Sequence, residues 1–253
     1  MPESLPQKPP KSQIFLPCYV PYDETIFIDA DCLAYKDLND LWEVFENQPD
    51  FSVLGKSYPP DYRYAWFKRE DVAEYAEAIT FIPDFIGGVY FMRNTNALRE
   101  FANTSLDILS HYHRYTFRQF ENPCDEPVFA LATAVHGFKP ADRDRFPICF
   151  YPHAITFESD IEAGWVAYDS RYDSERAIHE NPYLVHWGSG NTALPPYTIE
   201  VAKLRHAMGL RGAIATNATI ARIKGREAVK GALAKLHLLN AARTIRDTLK
   251  GNR

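Results

Sequence analysis

The feature that most restricts this chain is short. Thr25-Ile26-Phe27-Ile28 is a continuous run of β-branched and aromatic residues that stops abruptly at Asp29-Ala30-Asp31. Such a run predicts a buried strand of an α/β sheet, with two carboxylates delivered at its C-terminal edge, where α/β sheets place their ligands. Residues i and i+2 of a strand face the same way, so Asp29 and Asp31 share a face. Two like charges so placed repel unless a cation lies between them. A hard divalent ion, Mn²⁺ or Mg²⁺, with oxygen ligands meets that need. A solvated acidic turn is the bland alternative, and the apolar run directly in front argues against it.

With 253 residues, 46% apolar and 24% charged, the chain can bury a full core around this strand. The pattern predicts helices over 37–45, 69–78, 96–115 and 126–135, the last with Pro127 in its first turn. Strands are expected at 51–54, 147–151 and 183–185, and a Gly87-Gly88 loop feeding a strand within 82–92. The proline-rich residues 1–13 read as a disordered arm and 14–198 as the main domain. No apolar run reaches the roughly 18 residues of a membrane span. The N-terminus lacks the apolar segment of a secretory signal. Cys18, Cys32, Cys124 and Cys149 are scattered, which speaks against a zinc ribbon or a disulfide scaffold. A cytoplasmic setting follows as the expectation.

Charge divides the chain. Residues 199–253 hold 12 Lys and Arg against 3 Asp and Glu, whereas the remainder holds 16 against 30. A uniform nucleic-acid binder is not built this way. The tail is expected to be helical, broken near Gly209–Gly212 and Gly225. Over Arg226–Lys250 it forms a basic amphipathic pattern suited to peripheral contact with an anionic membrane face, or to packing on the body with its charges outward.

The stretch from Leu16-Pro17 through Pro21-Tyr22-Asp23, the apolar run, Asp29-Ala30-Asp31 and Asp37-Leu38-Asn39-Asp40-Leu41 resembles glycosyltransferases of the glycogenin-like family 8. The resemblance implies a GT-A-type α/β domain, a mixed sheet flanked by helices, that binds a nucleoside-diphosphate sugar through Mn²⁺. Asp29, Asp31 and His186, in Leu184-Val185-His186-Trp187-Gly188, would hold the metal. Ala30, Gly87, Gly88 and Gly188 would line the cofactor site, with Phe85-Ile86-Gly87-Gly88-Val89 matching the family's glycine-bearing strand entry. Asp125 and Glu126, at a helix start where the family has Asp-Gln-Asp, would position the donor sugar as catalytic residues. Ile86 stands where the family has Asn, and Thr192 where it often has a diphosphate-neutralising Lys. Only 28 residues precede Asp29, so most of the family's nucleotide-binding βαβ units are expected to be missing.

Three functions follow as expectations. The first is transfer of a sugar, UDP-linked by family inheritance, to a glycan, lipid-linked or protein acceptor. The second is a non-catalytic remnant or partner subunit of such an enzyme. The third is a haloacid-dehalogenase-type phosphohydrolase, in which Asp29 is the nucleophile and Asp31 the acid/base. That family follows its acid pair with a small hydroxyl residue, where this chain has Cys32-Leu33.

Overall fold

The computed structural model describes residues 13–118, 122–170, 178–210 and 212–231. A 3₁₀ turn over Gln13–Cys18 leads into β1 (Glu24–Ile28), β2 (Cys32–Ala34), α1 (Asp40–Phe45) and β3 (Phe51–Tyr58). Next come β4 (Ile82–Arg93), α2 (Asn96–Ser110), α3 (Asp125–His136), β5 (Ala141–Asp142) and β6 (Ile148–Phe150). The strands β7 (Ala154–Asp160), β8 (Trp165–Ser170), β9 (Ile178–Glu180) and β10 (Leu184–His186) precede α4 (Pro195–Ala207). A further helix occupies 213–231. The class is α/β, with mixed sheets and helices.

The chain forms two compact units. The first runs up to Phe150 and regains Pro182–His186; the second comprises Tyr151–Asn181 and the chain from Trp187 on. This grouping differs from the linear division at 13/14 and 198/199. The cause is β10, which returns to pair parallel with β6 and antiparallel with β2 in the first unit.

In the first unit the larger sheet has the order β1-β4-β3-β5. Alternation along its strands splits the core in two. Phe51, Val53, Tyr90 and Met92 face α2 and α3, where Phe51 stacks on Phe101 at 4.1 Å between ring centroids and meets Phe129 at 5.0 Å. Leu54, Val89 and Phe91 face the other way, onto Leu41, Phe45 and Leu184. Thr95 caps α2, its hydroxyl accepting from the Leu98 N–H at 3.2 Å. Gly137, with φ 69°, ends α3.

Several expectations need correction. The strand at Ile26 is not fully buried: among the described residues β1 is an edge strand paired only with β4, with Glu24 exposed and Thr25–Ile28 half-covered. Residues 69–78 form two 3₁₀ turns, Arg69–Asp71 and Ala73–Tyr75, because buried Val72 leaves helical geometry at φ −130°, ψ 52° to enter the core. Gly87-Gly88 is no loop. Ile82–Arg93 runs as one strand, with Ile82–Phe85 paired to β3 and Val89–Arg93 to β1, and the glycines lie where the β3 register shifts between Val53 and Gly55. The helix from Asn96 stops at Ser110, since His111 turns to φ −109°, ψ 16° and drives Tyr112 into the core. The break at Gly209–Gly212 is present, whereas the helix passes through Gly225 unbroken. Gln13 is ordered at the start of the first 3₁₀ turn; residues 1–12 of the expected arm, and residues 232–253 of the expected tail helix, lie outside the described residues. The meander β7-β8-β9 was not expected.

In the second unit a buried acid ties this meander to α4. Glu200 accepts from the Ile161 N–H at the β7–β8 turn at 2.6 Å and from Lys203 Nζ at 3.0 Å. Glu200→Ala leaves that amide unpaired and is expected to cost about 2–3 kcal/mol, read as a lower Tm. Burial raises the Glu200 pKa, against the pull of Lys203 and the Ile161 N–H. The folded state therefore holds the proton more tightly than the unfolded chain. Its contribution is greatest below the ordinary carboxylate range of about 4 and falls as pH rises through the folded pKa. Glu200→Gln is expected to flatten the fall of Tm over that window.

Candidate metal centre

The site is built around the end of β1 and the middle of β4. The β1–β4 ladder closes with the Asp29 N–H donating to the Gly88 carbonyl at 2.9 Å, which fixes the first acid beside the glycine pair. The backbone then turns tightly, Cys32 N–H donating to the Asp29 carbonyl at 3.0 Å, so Ala30 is an exposed turn residue and Asp31 comes back toward Asp29. Across β2, His186 is the register partner of Cys32. That pairing carries the imidazole to the acids. His186 Nε2 lies 3.5 Å from Asp29 Oδ2 and 3.3 Å from Asp31 Oδ1, and the residue is only 8% exposed. The other ring nitrogen, Nδ1, is buried without a hydrogen-bond partner.

The two glycines explain how so many side chains converge. A Cβ on Gly88 would stand 2.7 Å from His186 Nδ1, and Gly88 has φ 115°, a conformation other residues rarely adopt. A Cβ on Gly87 would stand 2.5 Å from the Tyr90 hydroxyl and 3.1 Å from Glu126 Cγ. One missing methyl thus seats the histidine, and the other seats the first turn of α3. There the Gly87 N–H donates to Glu126 Oε1 at 3.0 Å, and the Tyr90 hydroxyl donates to Asp125 Oδ2 at 2.7 Å. Asp125 and Glu126 also stand at the positive end of the helix dipole.

The electrostatics are those of a site crowded with acid. Burial raises the Asp29 pKa, Asp31 and Asp125 push the same way, and His186 and the amide of Gln13 oppose them. Burial likewise raises Glu126, against the Gly87 N–H. Buried Tyr90, beside Asp125, is held well above the usual phenol range. The Cys124 thiol, next to Asp125 and Glu126, is pushed up to about 12 by burial and by those acids. Burial, with Asp29 and Asp31 beside it, also raises the Cys32 thiol, whose sulfur lies with ligand atoms of Asp31 and His186 within 4.8 Å of one another.

Two carboxylate oxygens and an imidazole nitrogen suit Mn²⁺ or Mg²⁺. In an octahedral shell with bonds of about 2.1 Å, neighbouring ligand atoms lie about 3 Å apart. The observed 3.3 and 3.5 Å are a few tenths of an ångström wider. Asp31, Cys32 and His186 bring one ligand atom each within 4.8 Å of one another and Asp29 reaches the same imidazole nitrogen, so the cluster offers donors that a divalent ion could use.

Asp29, Asp31, Gly87, Gly88, Asp125, Glu126 and His186 therefore come together in the first unit. Gly188 belongs to the second unit, where φ 68° lets it open a 3₁₀ turn over Ser189–Asn191. Two contributors went unread. Gln13, assigned to the arm, donates its side-chain amide to Asp29 Oδ1. Tyr90 carries a strand-parity signal that points it to the α3 side together with Phe51, and that signal was available in the sequence. Comparison with protein-family models, with curated proteins and with solved structures finds no significant match.

Proposed function

We propose that the chain is a metal-dependent glycosyltransferase with a GT-A-type fold, similar to family 8, moving a sugar from a UDP-linked donor to a glycan, lipid-linked or protein acceptor. One observation carries this reading: His186 Nε2 faces both Asp29 and Asp31, from a strand far along the chain, in a site that also receives Asp125 and Glu126. Asp29, Asp31 and His186 would hold Mn²⁺ or Mg²⁺. When bound, the ion supplies Lewis-acid charge that neutralises the diphosphate leaving group.

The rest of the work falls to side chains. Tyr90 and the Gly87 N–H hold the α3 acids in fixed orientations, so no reorganisation is needed when charge develops. Asp125 accepts from Tyr90 on Oδ2 and, weakly, from the Cys124 thiol on Oδ1, the oxygen that a sugar hydroxyl would take over. Glu126 offers a carboxylate toward the positive charge that grows at the anomeric carbon in an oxocarbenium-like transition state. Gln13 restrains the free rotation of Asp29.

The test is release of UDP from UDP-glucose, UDP-galactose and UDP-N-acetylglucosamine with Mn²⁺. Turnover of one of these donors, lost in Asp31→Ala and reduced by about 100-fold or more in Glu126→Ala, is the expected result. Turnover of an aryl phosphate lost in Asp29→Asn, with none of any sugar nucleotide, would replace this reading by the phosphohydrolase. Binding of Mn²⁺ and UDP without turnover of any donor would make the chain a non-catalytic relative.

A further inference from the structure

Among the described residues ten large apolar side chains are exposed, and five of them, Leu194, Met208, Leu210, Ile214 and Val229, belong to the stretch from the start of α4 to the following helix, the others being Tyr22, Trp42, Tyr64, Ile155 and Trp165. In that stretch Met208 is 64% exposed, Leu210 70% and Ile214 88%.

Backbone hydrogen bonds cap the end of α4. Gly209, with φ 70°, follows the end of α4. Its N–H donates to the His206 carbonyl at 2.9 Å, and the Leu210 N–H donates to the Arg205 carbonyl at 2.9 Å. This pair of bonds is a Schellman cap, whose residue after the glycine ordinarily packs back on its helix. Leu210 instead stands in solvent. The following helix opens with the Thr216 N–H donating to the Gly212 carbonyl at 3.0 Å. On that helix Ile214, Ala218, Ala221, Gly225 and Val229 recur at helical spacing, and all are exposed. Arg222, Lys224 and Arg226 flank them in solvent, and among the described residues no ion pair holds any of the three. No helix among the described residues is long and apolar enough to cross a membrane.

We propose that Met208, Leu210 and Ile214 and the basic helix at 213–231 form a docking surface for an anionic lipid bilayer, the apolar side chains entering the headgroup layer and the arginines and lysine meeting lipid charge. Charge complementarity selects this occupant. The 199–253 segment carries 12 basic against 3 acidic residues, on a chain whose remainder is acidic at 16 against 30. An anionic surface therefore attracts this segment and repels the rest. The capped helix end that projects Met208 and Leu210 loses little freedom on insertion, because Gly209 and Leu210 are already hydrogen-bonded to α4. The surface differs from the Arg226–Lys250 pattern expected from sequence, since the projecting apolar groups precede it. It stands independently of the glycosyltransferase reading.

The experiment is co-sedimentation of the full chain with vesicles of phosphatidylcholine alone and of one part phosphatidylglycerol to three parts phosphatidylcholine. Binding to the anionic vesicles is expected, with little to the neutral ones and a steep loss at about 0.5 M NaCl. Arg222→Glu with Lys224→Glu should weaken binding by at least about fivefold per charge removed. Met208→Ser, Leu210→Ser and Ile214→Ser together should abolish it while leaving Tm unchanged, because all three side chains lie in solvent. Absence of wild-type binding to the anionic vesicles overturns the proposal, as does a triple variant that binds like the wild type. A wild-type dimer in sedimentation velocity that the triple variant dissociates would assign the face to a second copy instead, and overturns it too.

Discussion

Gly88→Ala is expected to lower stability by about 3 kcal/mol and to abolish Mn²⁺ binding. Two costs combine. The backbone at φ 115° lies where a residue with a Cβ is strained, and the new methyl would stand 2.7 Å from His186 Nδ1 and 2.9 Å from Cε1. The ring cannot retreat freely, because it is buried and packs near Phe150 at 5.2 Å between centroids. Displacing it removes Nε2 from the acids, so the metal site fails together with the fold's local order. In thermal unfolding the drop should be roughly 6–12 °C. Gly137→Ala is the control. Its φ is 69°, but nothing lies within 4 Å of the added methyl, so about 1 kcal/mol and no change in metal binding are expected. Equal losses at the two positions would refute the seat assigned to Gly88.

Asp31→Asn should act on stability and on binding in opposite directions. Without an ion, Asp31 and Asp29 are two acids packed against one imidazole, and they repel each other. Removing one charge while keeping the shape should raise the stability of the metal-free protein by about 1 kcal/mol. The same change removes an anionic ligand and should weaken Mn²⁺ by at least about 100-fold in calorimetric titration. A variant that loses stability and affinity together would indicate that Asp31 serves the fold and not an ion.

Much of this site was legible in the sequence because its key signals are local. The apolar run ending in Asp29-Ala30-Asp31, the acidic helix start at Asp125-Glu126 and the short strand ending in His186 each follow from a few neighbouring residues. Their convergence did not follow from spacing. It depends on β10 pairing with β2, which brings His186 opposite Cys32. Gly87-Gly88 read as a loop because glycine usually interrupts strands. Here they sit at a register shift between the paired segments of one strand, and the missing side chains are used for close approach. Helix periodicity at 69–78 lost to the burial of Val72. The β7–β9 meander was missed although its turn at Gly164, φ 64°, is an ordinary hairpin signal; its strands alternate weakly because few of their residues are buried.

The central claim is that Asp29, Asp31 and His186 hold a divalent ion for a diphosphate. The most direct measurement is calorimetric titration of the wild type with Mn²⁺, then of the Mn²⁺-loaded protein with UDP, alongside UDP added without metal. Saturable Mn²⁺ binding, followed by UDP binding that occurs only when Mn²⁺ is present and vanishes in His186→Ala, is the result predicted. A folded wild-type protein that takes up neither Mn²⁺ nor UDP, or that binds UDP equally well without metal, would contradict the account.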